Sequence, residues 1–281
     1  MSLFDKLESV DRRAIFVLVF LVVAFPLVYP IGMPIPISPM TQAFYDAVEK
    51  LKPGDVAFIS FDFSAASLPE QYPQSKAAVA HVSAKGAKIV AVTFWADGPI
   101  FIDNTFKAVF GGSSSHPKYG IDFVNLGYIV GAETAMASFG KDIQATAPKD
   151  YYGTATNSLS LMQNVKSAKD FNILIALSSG TPGYRELLRQ IQAPYGLVEV
   201  AGVTAVVGPE VRPYFPQQIG GVIEGLAGAA EYEILLARYG FKGTLAAPMD
   251  AQSLGHVLVV LFVVLGNIGF VVRKYGRKTQ A

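Results

Sequence analysis

The sequence predicts an α/β body with a Rossmann-like, mostly parallel sheet of five or six strands, anchored by two transmembrane helices. Three observations predict it. Two uncharged apolar runs, Ala14–Ile31 and Gly255–Val272, lie near the two ends, each 18 residues long. That is the length and purity at which a run reads as a membrane span rather than a buried helix. Between them, β-forming runs alternate with runs of helical period, the pattern of βαβ units. Several of the β-runs are continuously apolar, as strands covered on both faces are.

Charge sorts the chain further. Of 281 residues, 51% are hydrophobic and 16% charged, below the ~25% charged of ordinary soluble domains. The apolar runs account for the shortfall. The stretch between the runs carries 16 basic and 19 acidic residues. It has no clustered basic face of the kind nucleic-acid binding needs, so no nucleic-acid partner is expected. Lys6, Arg12 and Arg13 precede the first run, and Arg273, Lys274, Arg277 and Lys278 follow the second. Basic residues near span ends stay cytoplasmic. Both termini are therefore expected in the cytoplasm and the body outside it, at the cell membrane. There are no cysteines, hence no disulfide, thiolate metal site or cysteine nucleophile.

In order, residues 1–13 read as a cytoplasmic lead and 14–31 as the first span. The first run exceeds the ~7–15-residue core of a signal peptide and lacks a small-x-small cleavage site, so it reads as an uncleaved anchor. Residues 32–40 (GMPIPISPM) read as an extended proline-rich strut. The body is expected over 41–247, a linker over 248–254, the second span over 255–272 and a basic tail over 273–281.

Within the body, Thr41 reads as the N-cap of a helix carrying Phe44, Val48 and Leu51, stopped by Lys52-Pro53-Gly54. Strands are expected at 55–63, 87–94, 121–126, 171–177, 197–207 and 219–223. Helices are expected at 74–85, 132–145, 182–192 and 226–238. The stretch from Trp95 to Lys118, with its GGSSSHP segment, reads as an irregular surface loop, and 148–169 as loop with one short helix.

Ligands of open parallel sheets bind at the carboxyl ends of the strands. That rule selects Asp62 and Ser64 after the first strand, Trp95 and Asp97 after the second, and Ser178, Ser179 and Thr181 after the fourth. Ser178–Gly183 joins a strand to a helix and resembles an anion cradle, where free N–H groups and a helix start converge. The plainer alternative is Thr181 as N-cap with Pro182 at the first helical position. Asp62 and Asp97 together suit a hard divalent cation, or else are turn residues. The glycines around Gly127 and Gly131 lack dinucleotide-site spacing, and no G-x-S-x-G elbow is present. The three histidines show no metal-ligand spacing. No cofactor or metal is expected.

Small residues mark two further places. Gly221, Gly225 and Gly228 fit either a tight strand-to-helix turn or a subunit contact. Gly266, Asn267 and Gly269 in the second span fit close helix pairing in lipid. The function expected is a structural or assembly subunit of an oligomeric membrane complex, in contact with the bilayer. A small-molecule or anion-binding sensory domain and a metal-assisted hydrolase are the alternatives.

Overall fold

The computed structural model describes residues 11–276, with side chains through Val271. The lead up to Val10 and the tail residues Arg277 and Lys278 lie outside the described residues, as do the side chains of Arg273 and Lys274. The chain forms two units. One joins the segment ending at Pro34 to the segment starting at Leu245, and the other is the α/β body, Ile35–Thr244.

In the first unit, α1 (Arg12–Val28) starts on Asp11, whose carboxylate accepts the Arg13 N–H. Pro26 sits within its last turn without ending it. The C-terminal helix Ala246–Gly276 absorbs the stretch expected to be a linker at 248–254. Pro248 is tolerated there because the first turn needs no internal N–H bond. By length and composition, Ala246–Val271 is long and apolar enough to cross a membrane. The two helices pack on each other, with Val23 against Gly255. Asp250 ties them together. Its carboxylate accepts the consecutive N–H groups of Ile31, Gly32 and Met33 at 2.7–2.8 Å. Gly32 adopts φ +72°, which turns its N–H toward the same carboxylate as its neighbours.

The body opens with α2 (Pro39–Glu49). Its N-cap is Ser38 rather than Thr41, with Pro39 in the first turn. Six strands follow: β1 (Val56–Asp62), β2 (Lys88–Thr93), β3 (Phe123–Tyr128), β4 (Ile173–Ser178), β5 (Glu199–Val203) and β6 (Ile219–Glu224). All pair in parallel, in the order β3-β2-β1-β4-β5-β6. The order reverses between β1 and β4, so the switch point lies between them. Each strand is within a few residues of its expected place, because continuous apolar runs between turn residues leave little alternative.

The helices depart further from expectation. α3 (Leu68–Ala84) starts six residues before the expected 74, through Pro69 and Pro73. Gln71 in that extra turn and Gln74 just after it are fully buried. Their amides donate to carbonyls at the strand ends, Gln71 to Ser178 and Gly202, Gln74 to Val203 and Gly225. α4 (Gly98–Phe110) replaces most of the expected irregular loop. Phe101, Ile102, Thr105 and Phe106 turn inward at helical spacing, and Gly111 ends the helix at φ +77°. Of the following serines, Ser113 is packed down while Ser114 and Ser115 are exposed. Ser113 is buried and donates to Asp103, which also receives Tyr152 and Lys107.

α5 (Ala132–Lys141) ends at Asp142, which caps a separate turn, Ile143–Thr146. The helix expected from Pro182 begins instead at Tyr184, runs to Leu187, widens into a π-turn over Leu188–Gln192 and closes at Tyr195. α6 (Gly225–Leu235) follows β6 directly. One face of the sheet packs on α5 and the Tyr184 helix through Phe58, Val92, Phe139 and Leu174, among others. The other lies under α2, α3, α4 and α6.

The glycines of the β6–α6 corner are spent inside the body. A Cβ on Gly221 would fall on the backbone of Phe44, so its hydrogen is what lets α2 lie on the sheet. Gly225 adopts φ +64°, and Gly228 sits against Ile223. All three are buried. Each lies where a Cβ would meet a neighbour inside the body: Phe44 for Gly221, Ala205 for Gly225 and Ile223 for Gly228.

One core residue breaks the apolar rule. Glu199 of β5 lies between Leu174 and Ile219 with no exposure. Neither of its carboxyl oxygens has a hydrogen-bond partner among the described residues. Burial raises its pKa well above the usual value and keeps it neutral.

Two outcomes follow. Gly221→Ala pushes α2 off the sheet and costs roughly 1–3 kcal/mol or more in denaturant unfolding. For Glu199, the unfolded carboxyl ionises above about pH 4.3 while the folded one does not. Native stability therefore falls as pH rises through that point. Glu199→Gln removes this slope and is more stable than the parent at pH 8 by at least ~1 kcal/mol. Urea midpoints across pH 4 to 8 measure both quantities, and parallel pH profiles would show that Glu199 is not the source of the slope.

Candidate functional site

The carboxyl end of the sheet at the β1/β4 switch point gathers most of the residues that the sequence singles out. Asp62 closes β1 and is register partner to Ser178, which closes β4. The strands continue one bond further, with the Ser179 N–H on the Asp62 carbonyl at 3.1 Å. The Asp62 side chain has no exposure. Its carboxyl receives the Ser60 hydroxyl and the Phe94 N–H, the latter at 2.7 Å. Burial pushes its pKa up to about 7, against the pull of the Ser60, Phe94 and Thr93 contacts. Such a carboxyl exchanges a proton near neutrality, the property of a general acid or base. Sealed from solvent, it meets no substrate in this conformation.

What seals it is the chain itself. Trp95 lies half-buried with its ring edge against Gly180, 3.3 Å from where a Cβ would stand. Its indole N–H donates to the Pro182 carbonyl at 2.7 Å. Thr93 donates to the Phe61 carbonyl at 2.6 Å and packs against Gly98, fixing the start of α4. The Ser178 hydroxyl points back to the Gly180 carbonyl.

At the expected anion cradle, the Gly183 N–H is taken by the Glu186 carboxylate at 2.8 Å. The free donor that an anion would use is thus held by an internal acid, as in a capping box. Thr181 is exposed and Ser179 half-buried, and neither caps the helix, whose N-cap is Gly183.

Among the described residues, Asp97 and Ser64 share no side-chain hydrogen bond with this cluster. Asp97 is exposed at the start of α4 and makes no side-chain cap bond. Ser64 is half-buried and begins a single turn over Ala65–Ser67, where its carbonyl takes the Ser67 hydroxyl. Among the described residues, no group of three or more His, Asp and Glu side chains forms a metal-sized cluster. Ion pairs lace the surrounding loops: Arg212 holds Glu224 in a two-bond fork, and Arg185 reaches Glu210. Exposed pairs of this kind add little stability individually.

A second cluster escapes sequence reasoning altogether. His81, fully buried on α3, bridges two other helices. Its Nε2 lies 2.8 Å from Glu49 of α2 and its Nδ1 lies 2.7 Å from the Tyr232 hydroxyl of α6. A carboxylate only accepts, so Nε2–H donates to Glu49 and Nδ1 accepts from Tyr232. The neutral ring is satisfied on both sides. Lys85, Arg238 and Tyr239 converge on the same carboxylate at 3.1, 2.5 and 2.6 Å. The Arg238 guanidinium covers the Tyr45 ring, which in turn stacks on His81. Burial opposes ionisation of Glu49, yet the bonds from Tyr239, His81 and Arg238 outweigh it and hold its pKa well below the usual range. Burial lowers His81 to about 4 in spite of Glu49. The only sequence signal is the helical register placing His81 three residues after Ala78, on the inward stripe with Val82.

The chain matches no known family, no curated protein and no solved structure.

The sign of the His81 effect is fixed by its lowered pKa. The unfolded imidazole takes a proton below about 6.5, whereas the folded one resists until about 4. Stability is therefore whole at pH 7 and declines as pH falls across that window, by up to roughly 3 kcal/mol. His81→Gln flattens this decline between pH 7 and 4, read from urea midpoints. An unchanged slope would assign the acid sensitivity elsewhere.

Proposed function

We propose that the chain is a membrane-anchored assembly subunit, with its α/β body outside the cytoplasm and both termini inside. One observation carries the reading. The large apolar side chains of α1 and of the C-terminal helix are exposed in long rows, Phe16 at 70%, Phe20 at 69% and Val260 at 61% among them. Water disfavours that much apolar surface, and hydrocarbon accepts it.

The C-terminal helix meets the length criterion alone. α1 has 17 residues, about 26 Å of rise, against a hydrocarbon core of ~30 Å. The apolar residues Tyr29–Ile31 beyond it supply the remainder. Asp250, bound to the N–H groups of Ile31 to Met33, supports a paired arrangement in which both helices leave the bilayer on one side. On the C-terminal helix, Gly266 faces open space and Asn267 is exposed, with its amide N–H turned back to the Val263 carbonyl. A small residue beside a polar one is the surface on which a second helix packs in lipid. The closed switch point favours an assembly role over the anion-binding and hydrolase alternatives, since Trp95 and Glu186 occupy the positions a ligand would need.

Extraction in a mild detergent followed by native mass measurement tests assembly. A multiple of the 30.1 kDa chain is expected, and a lone chain under the mildest conditions defeats the assembly role. Topology is read separately, because the chain has no cysteine of its own. An impermeant maleimide should label Ser114→Cys on intact cells, and Thr279→Cys only after permeabilisation. The reverse pattern inverts the orientation.

A further inference from the structure

At the edge of the sheet opposite the switch point, a cavity of about 280 Å³ opens between the amino ends of β2 and β3. Its buried walls are Ile89 and Phe123, register partners on the two strands. Phe110, at the end of α4, stacks on Phe123 with ring centres 4.2 Å apart. Of these three, Phe110 is half-buried and presents its ring to the cavity, while Ile89 and Phe123 close the floor beneath it.

The remaining lining includes Gly86 and Ala87 together with polar side chains of both signs of charge. Lys118 and Asp122 are exposed and lie 3.2 Å apart, so the cavity has no net charge. His116 completes the wall, with its ring 5.5 Å from that of Phe123. The Lys118 N–H donates to His116 Nδ1 at 3.2 Å. The ring proton therefore stands on Nε2, which has no partner among the described residues. The cavity thus offers an ammonium and an imidazole N–H as donors, a carboxylate as acceptor, and the aromatic ring of Phe110.

From this lining we infer that the cavity binds a free amino acid with an apolar or aromatic side chain. The ligand carboxylate meets Lys118 and the His116 Nε2–H. Its ammonium meets Asp122, and its side chain lies on the half-buried Phe110 ring. A simple anion would face Asp122, and a simple cation would face Lys118; a zwitterion satisfies both at once. The volume falls just short of the ~300–1,000 Å³ typical of drug-sized ligands, which suits a molecule of this size. The site shares no residue with the switch-point cluster or with the His81 hub, and it is independent of whether the chain assembles.

Titration of the detergent-solubilised full chain tests the inference, with binding read by calorimetry. The probes are L-phenylalanine, its analogues lacking the ammonium (3-phenylpropionate) or the carboxylate (phenethylamine), and glycine. Saturable binding of L-phenylalanine is expected, with each analogue and glycine weaker by at least ~10-fold. Lys118→Ala should narrow the preference over phenethylamine, and Asp122→Asn should erase the preference over 3-phenylpropionate. Both side chains are exposed, so the variants fold. Absence of saturable L-phenylalanine binding at millimolar concentration overturns the inference. So does equal binding of the three aromatic probes, or binding that neither substitution alters.

Discussion

The carboxyl edge of a parallel sheet ends in carbonyl and N–H groups that must find partners, and here the partners come from within the chain. Gln71 and Gln74 reach down from α3 to four strand-end carbonyls across β4, β5 and the β6–α6 corner. Asp62 takes the N–H of Phe94, and Trp95 caps the Pro182 carbonyl. This requirement dictates where α3 begins, how α4 is entered and why Gly183 rather than Thr181 starts the next helix. In many folds of this strand order the same edge is left open for a ligand. In this one it is closed by glutamines, an indole and an internal carboxylate.

Closure gives the buried polar groups two different fates. His81 is surrounded by complementary partners. Its two nitrogens are matched by Tyr232 and Glu49, and three further donors converge on Glu49. The cluster fastens α2, α3 and α6 together, which no single apolar contact between three helices would do with the same directionality. Glu199 lacks any such partner among the described residues and survives by staying neutral. Asp62 lies between these cases, with two firm hydrogen bonds and a pKa near 7.

Close approach decides the rest of the body. Gly221 brings α2 down to β6, and Gly180 admits Trp95. At both positions the missing side chain is the structural feature, because a Cβ would meet backbone in one case and an indole in the other. The Asp250 carboxylate performs a comparable task in the helical unit, gathering three backbone donors where the chain leaves α1.

The six strands, their parallel class and the apolar C-terminal helix were legible in the sequence, since each rests on a local run of apolar residues whose period and length leave one solution. The same local logic failed at Leu68–Pro73 and at Gly98–Phe110. There, proline, glycine and glutamine outweighed the helical spacing, and only contact with the strand ends made those segments helical. Asp62 and Ser178 could be placed at one edge by the rule for open sheets, but not the Trp95 and Glu186 that close it. The His81 hub and the Lys118–Asp122 cavity were invisible, because their members are separated by long stretches of chain or lie in a loop that looked featureless. Sequence alone therefore determined which segments are strands and which helix suits a bilayer, through residue-by-residue hydrophobicity. Tertiary structure decided which polar side chains meet, because a hydrogen bond depends on positions in space that no local pattern encodes.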